Sequence, residues 1–234
     1  MREFDEIYAI AAGRKGGAAA LEALIGPEVP ERLAGLTDDR LLSAMARAIF
    51  QAGFNWQVIE AKWPGFEAAF EGFEVPRVAH YHDADFDRLV ADRGIVRNPP
   101  KIRAVMENAV WLGDLATAHG TAARFFADWP DSDIVGLLDR MTRDGTRLGG
   151  NTGQRILRAI GKGTFVLSRD VTARLIAEGV ITKPASSKRD MAAVQAAFNV
   201  WSGQSGRSLT AISRVLAMSI GTAHGPEGFA ETYL

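Results

Sequence analysis

A chain of 234 residues, 47% of them hydrophobic and 24% charged, is long enough to bury a sizeable core and too apolar to stay disordered. Its lack of cysteine excludes disulfides, thiolate nucleophiles and every Cys-ligated zinc or iron–sulfur site. The formal net charge of −1 conceals a division: residues 1–139 carry 14 Lys and Arg against 22 Asp and Glu, whereas residues 140–214 carry 13 against 4. A basic block of this kind suits a polyanion met by one face, or else a plain solvated surface. No stretch approaches about 18 uninterrupted apolar residues, so no membrane span is expected. The opening "MREFDEIY" is acidic where an export signal would be basic and then apolar, so the expected location is the cytoplasm.

Helical signals dominate, and strand signals are absent. "DDRLLSAMARAIFQAG" offers Asp38 or Asp39 as a cap, repeats Leu41, Leu42, Met45 and Ile49 at helical spacing, and stops at Gly53. "DADFDRLVADRG" repeats that plan from Asp83 to Gly94. After the extended "RNPP", a longer helix over 101–119 places Ile102, Val105, Ala109 and Leu112 on one stripe. Further helices are predicted over 131–145, 152–161, 168–179, 187–203 and 208–221, each opening at Ser, Thr or Asp. "FEAAFEGFE" spaces Phe66, Phe70 and Phe73 by four and three, the pattern of a core stripe. The expectation is an all-α fold in one domain over 1–234. If there are two lobes, the divide falls among "DWPD" and "RDGTRLGG".

The segment "RLGGNTGQRILR" (147–158) is too short between its glycines for a phosphate-gripping P-loop and has no Lys where that loop needs one. A dinucleotide fingerprint would require a preceding strand, and "RMTRDGTR" reads as a polar helix end. What remains is a helix–hairpin–helix over about 132–161, or an ordinary glycine-rich connection between helices. In the first case Leu148, Gly149, Gly150, Thr152 and Gly153 present backbone N–H groups to a DNA phosphate, with Arg155 and Lys162 as further backbone contacts.

Two other segments, "FQAGFNWQVIEAKWPGFEAAFEGFEVPRVA" (50–79) and "LVADRGIVRNPPKIRAVMENA" (89–109), resemble the type I DNA-3-methyladenine glycosylases. That family carries a Q-A-G-apolar-small-W segment followed by a G-I-[IV]-R-[NH]-x-x-K-I segment. The resemblance spans roughly residues 40–180. It implies a helix–hairpin–helix glycosylase fold with two helical lobes around a cleft, and hydrolysis of the N-glycosidic bond of an alkylated purine, 3-methyladenine, flipped out of duplex DNA. On the same ground Trp56 matches the base-contacting tryptophan, Tyr8 is a looser candidate for a second aromatic wall, and Gln51 is placed as the wedge that fills the gap in the duplex.

The chain departs from that family pattern in three places. Ala48 stands where the family has a base-reading glutamate, leaving Glu60 or Glu6 as substitutes. Ser168 stands where the wider superfamily has a catalytic aspartate, with Asp170 nearby. Without cysteines the family's structural zinc cannot be built, so no metal and no other cofactor is expected. The expected partner is duplex DNA with alkylated bases, bound by a monomer. The alternative is a non-catalytic helix–hairpin–helix protein, a damage sensor or scaffold. His80 and His82 of "HYHD" read as a solvated loop, and His119 and His224 as helix ends.

Overall fold

The computed structural model describes residues 1–27, 33 and 35–220. In chain order its α-helices are α1 (Phe4–Lys15), α2 (Ala18–Ile25), α3 (Asp38–Gln51), α4 (Trp56–Ala69), α5 (Val75–Val78), α6 (Asp83–Ala91) and α7 (Pro99–His119). They continue with α8 (Ala122–Asp128), α9 (Ile134–Asp144), α10 (Gly150–Ile160), α11 (Arg169–Ala177), α12 (Lys188–Ser205) and α13 (Leu209–Met218). Short 3₁₀ turns lie at Glu71–Phe73 and Asp131–Asp133, and no strand occurs among the described residues. The fold is all-α, and no described helix is long and apolar enough to cross a membrane. His224 lies outside the described residues.

The helices cluster in two compact units. Of the described residues, one comprises 1–27, 130–135 and 163–220; the other comprises 33, 35–129 and 136–162. In the first, α13 packs against α1, α2, α11 and α12. Its buried interior includes Phe4, Ile7, Leu21, Phe165, Phe198 and Trp201. The first residues of the chain are tied down within this unit. The Trp201 Nε1–H donates to the Arg2 carbonyl at 3.1 Å, and the Arg2 N–H and guanidinium donate to Glu178 at 2.8 and 2.7 Å.

The second unit is organised by α3 and α7, which pack on each other, with α5 and α8 on α7 and α10 on α3. The predicted aromatic stripe is its core: Phe66, Phe70 and Phe73 are fully buried, and the Phe50–Phe66 and Trp63–Phe66 ring centroids lie 4.5 and 5.1 Å apart. Helix α4 meets the loop after α6 closely. A methyl group on Gly65 would stand 2.4 Å from the Gly94 carbonyl oxygen, and Lys62 donates to the Arg93 carbonyl at 2.8 Å. The two segments that resemble one family therefore touch.

Helix starts follow local chemistry, with one exception of consequence. Ser168, Ser187 and Ser208 cap α11, α12 and α13, accepting from the N–H three residues on, as their side-chain geometry allows. At α3 the cap position belongs to Thr37, which leaves the Asp38 carboxylate available to a second helix. Its two oxygens accept the N–H groups of Ala122 and Ala123 at 3.1 and 2.9 Å. These are orphan donors at the start of α8, so one helix start satisfies N–H groups of another, beside that helix's own cap Thr121. Similarly α6 is capped by His82, in a reciprocal box with Asp85, and Asp83 follows it as the first helical residue.

Candidate functional site

The "QAGFNW" segment is the turn between α3 and α4. Helix α3 ends at Gln51, Ala52 leaves helical geometry with ψ 113°, and Gly53 takes φ +73°, where a side chain would be strained. Asn55 then caps α4 by accepting the Gln57 N–H at 2.9 Å, and Trp56 is the first helical residue. Trp56 is 46% exposed, flanked by the exposed Phe54 and Val58, and is therefore no core tryptophan.

One helical turn beyond it, Glu60 accepts from the Gln51 amide at 2.9 Å and pairs with Arg47 at 3.2 Å. Gln51 and Glu60 are thus brought together beside the turn that carries Trp56. The Gln51 amide and the Glu60 carboxylate are held to each other, with Arg47 supplying a positive charge that sequence reasoning did not anticipate. The Ala48 position leaves α3 without a carboxylate at this point.

Beneath the turn lies Lys101, near the start of α7 and only 6% exposed. Its ammonium donates to the carbonyls of Phe50 at 3.0 Å and Ala52 at 2.6 Å, and stands 4.6 Å from the centroid of the Phe54 ring. Those carbonyls belong to the C-terminal end of α3, which has no intrahelical partners for them and carries the negative end of the helix dipole. Burial pushes the Lys101 ammonium below its usual pKa, and the nearby Arg147 charge adds to the effect.

The glycine turn is carried by α9 and α10 in the same unit. Arg147 sits at φ +61° and Gly150 at φ +59°. Leu148 is buried between them, so what the hairpin offers outward is backbone, with Arg147, Gly150 and Asn151 exposed. Gly153 is not part of the turn but lies in the first turns of α10, buried, where a methyl group would meet the Leu148 carbonyl oxygen at 2.4 Å. Thr152 is half-buried and Arg155 exposed.

Helix α7 also pins this hairpin. Asn108, fully buried, donates to the Thr146 carbonyl and accepts the Thr146 N–H, each at 2.9 Å, and Thr146 Oγ1 donates to Glu107 at 2.6 Å. Lys101 and Asn108 are seven residues apart on one helix, a rise of about 10 Å. The sequence does hold a signal for them. Positions 101, 105, 108 and 112 share a helix face by their spacing, and two polar residues on an otherwise apolar stripe mark buried polar contacts.

Other predicted residues have different partners. Lys162 is buried, and its ammonium donates to the carbonyls of Ala127 (3.4 Å) and Trp129 at the end of α8, where it completes a helix terminus. In the first unit, Glu6 closes the capping box of α1, accepting the Glu3 N–H at 3.1 Å. Tyr8 donates to Glu22 at 2.6 Å, and Arg207 pairs with that carboxylate while standing 5.2 Å from the Tyr8 ring centroid. The hydrogen bond to Glu22 raises the Tyr8 pKa, and the bonds from Arg207 and Tyr8 lower that of Glu22. Ser168 caps α11 and Asp170 lies in its first turn. No group of three or more His, Asp or Glu side chains disposed to hold a metal occurs among the described residues.

Fold and site together define an all-α protein with a hairpin of helices and an exposed tryptophan on one unit. Residues 34–143 match the family model described as methyladenine glycosylase, so over this segment the chain is similar to that family. The match takes in the α3–α4 turn and α7 and stops before the glycine turn. Over 59 residues the chain is 39% identical to DNA-3-methyladenine glycosylase 1 of Escherichia coli (strain K12), a match covering 25% of this chain and 32% of that enzyme. This chain therefore aligns with about a third of that relative's length. A solved 3-methyladenine DNA glycosylase I from Staphylococcus aureus is 25% identical, with 53% of this chain and 77% of that chain covered at TM-score 0.47. A mutant form of it gives the same coverage at TM-score 0.48.

Proposed function

We propose that this protein is a DNA repair glycosylase that hydrolyses the N-glycosidic bond of an alkylated purine, 3-methyladenine, after the base has left the duplex. The observation that carries this reading is Trp56. Within the segment that matches the methyladenine glycosylase model, a large aromatic ring is left exposed at the start of a helix, with a cap on one side and a buried cation beneath the turn. Such a ring gives a flipped base a face to stack on.

In the proposed reaction the bond from the base nitrogen to C1′ of the deoxyribose breaks, its electron pair leaves with the base, and water adds its oxygen to C1′ while releasing a proton. A base alkylated at N3 is already cationic, so it departs as a neutral molecule and no strong general acid is required. The protein's contribution is orientation and exclusion of water. Glu60, one turn past Trp56, is the carboxylate best placed to face the base, with Gln51 and Arg47 fixing its direction. The hairpin supplies phosphate contacts through the backbone about Arg147 and Gly150, with Arg155 exposed beside it.

A second reading has its own support. Glu6 and Glu60 are both engaged by other groups, as a binding protein without chemistry would permit. The test is incubation with duplex DNA methylated at adenine N3 and measurement of free base. Release that falls at least a hundredfold in Trp56→Ala is expected. Tight DNA binding with no release from any alkylated duplex would refute the enzyme and leave the damage sensor.

A further inference from the structure

We propose that Lys101 is a positioning residue for base release: by clamping the carbonyls of Phe50 and Ala52 it fixes the direction in which the α3–α4 turn presents Gln51 and Trp56. The inference rests on the glycosylase reading of that turn.

Burying an ammonium is costly, and most helix ends avoid it by ending in glycine or exposing their last carbonyls to water. Here the buried cation has no carboxylate among its hydrogen-bond acceptors, which are two backbone carbonyls, and the Phe54 ring face lies within cation–π distance. These three partners lie on both sides of Gly53, whose φ of +73° is where the chain turns from α3 towards α4. A hinge of one glycine would leave the following segment free to swing. With the ammonium bridging residues 50, 52 and 54, the direction of the chain at Asn55 and Trp56 is set. The segment so held exposes Phe54, Trp56 and Val58, which a purely structural turn would gain nothing by displaying. Because reacting groups displaced by about 1 Å can lose two orders of magnitude in rate, a loosened turn is expected to slow release while leaving phosphate contacts made elsewhere intact.

The absence of native cysteine permits a comparison of two side chains of equal length. Lys101→Cys is alkylated under denaturing conditions and refolded, once to the S-aminoethyl form, which restores an ammonium, and once to the S-propyl form, which is neutral. Single-turnover release of 3-methyladenine and affinity for undamaged duplex are then measured on both. The S-aminoethyl form is expected to release base at least tenfold faster than the S-propyl form, with duplex affinities within twofold. Lys101→Met, folded in cells, is expected to show the same split between rate and affinity without any refolding step. Equal release rates in the paired forms, or a Met variant as fast as wild type, would overturn the role of Lys101 while leaving the glycosylase reading intact. A parallel loss of rate and affinity would also overturn it, since a general loss of structure would then account for both. No release by the unmodified wild-type chain would overturn the glycosylase reading and this inference with it.

Discussion

Gly150 and Gly153, which sequence spacing treats alike, should respond very differently to a methyl group. At Gly153 the added carbon would stand 2.4 Å from the Leu148 carbonyl oxygen and 3.1 Å from Leu138 Cδ2. Ordinary carbon contacts begin about 1 Å further out than the first of these, so the backbone at 148 must retreat by about that much. It has nowhere to go. The Leu148 side chain is buried and itself fills the space beside Gly145, where a methyl group would lie 2.4 Å from its Cδ1. Overpacking of this kind costs about 1–3 kcal/mol, and a clash with backbone belongs at the upper end. At Gly150 no atom lies within 4 Å, and only the left-handed φ of +59° opposes alanine. That strain is about 1–2 kcal/mol, part of which is offset by the lower entropy of the unfolded alanine chain. Gly153→Ala is therefore expected to lower the free energy of unfolding by about 3 kcal/mol and Gly150→Ala by about 1 kcal/mol. Urea titration followed by fluorescence measures both, and fluorescence anisotropy with labelled duplex at several salt concentrations measures affinity. A Gly153→Ala protein with wild-type stability would refute the close approach on which this ordering depends. A folded Gly153→Ala protein whose duplex affinity and salt dependence both match wild type would refute the hairpin as a DNA grip.

Asn108→Ala removes two hydrogen bonds that hold Thr146 and leaves a small cavity in α7. A loss of about 2 kcal/mol in thermal or chemical unfolding is expected, with duplex affinity reduced as the hairpin loosens. Unchanged affinity alongside the stability loss would separate α7 from the proposed grip. Glu178 reports on acid stability. Burial pushes its carboxyl up, but hydrogen bonds from Arg2 and Arg174 outweigh burial and hold it below the ordinary value of 4.5. The folded pKa is thus depressed, so its contribution is present above about pH 4.5 and is lost as pH falls through the folded value. Glu178→Gln should cost about 2 kcal/mol at pH 7, and the difference from wild type should shrink in unfolding curves below pH 4. A difference that stays constant from pH 7 to pH 3 would show that the ion pairs are not its source.

The sequence by itself determined the class of structure and most of its helices. The stripe Ile102, Val105, Ala109 and Leu112 in α7, the buried Phe66, Phe70 and Phe73, and the serine caps of α11, α12 and α13 all depend on neighbours three or four residues away, and such relations are written along the chain. Helices α1, α2 and α8 were not separated by the same reading, because their alanine-rich faces give little contrast between apolar and polar sides. The α3–α4 turn and the turn between α9 and α10 were also legible, through the family resemblance and the glycines. Their partners were not. Asp38 reaches Ala122, Lys101 reaches Phe50 and Ala52, Asn108 reaches Thr146, and Lys162 turns inward to the end of α8. Each of these contacts joins residues 33 to 84 positions apart. It depends on how packed helices are set in rotation and height, to within a fraction of a turn. A polar side chain meets whichever unsatisfied carbonyl or N–H that packing brings to it, and only the tertiary structure decides which one that is.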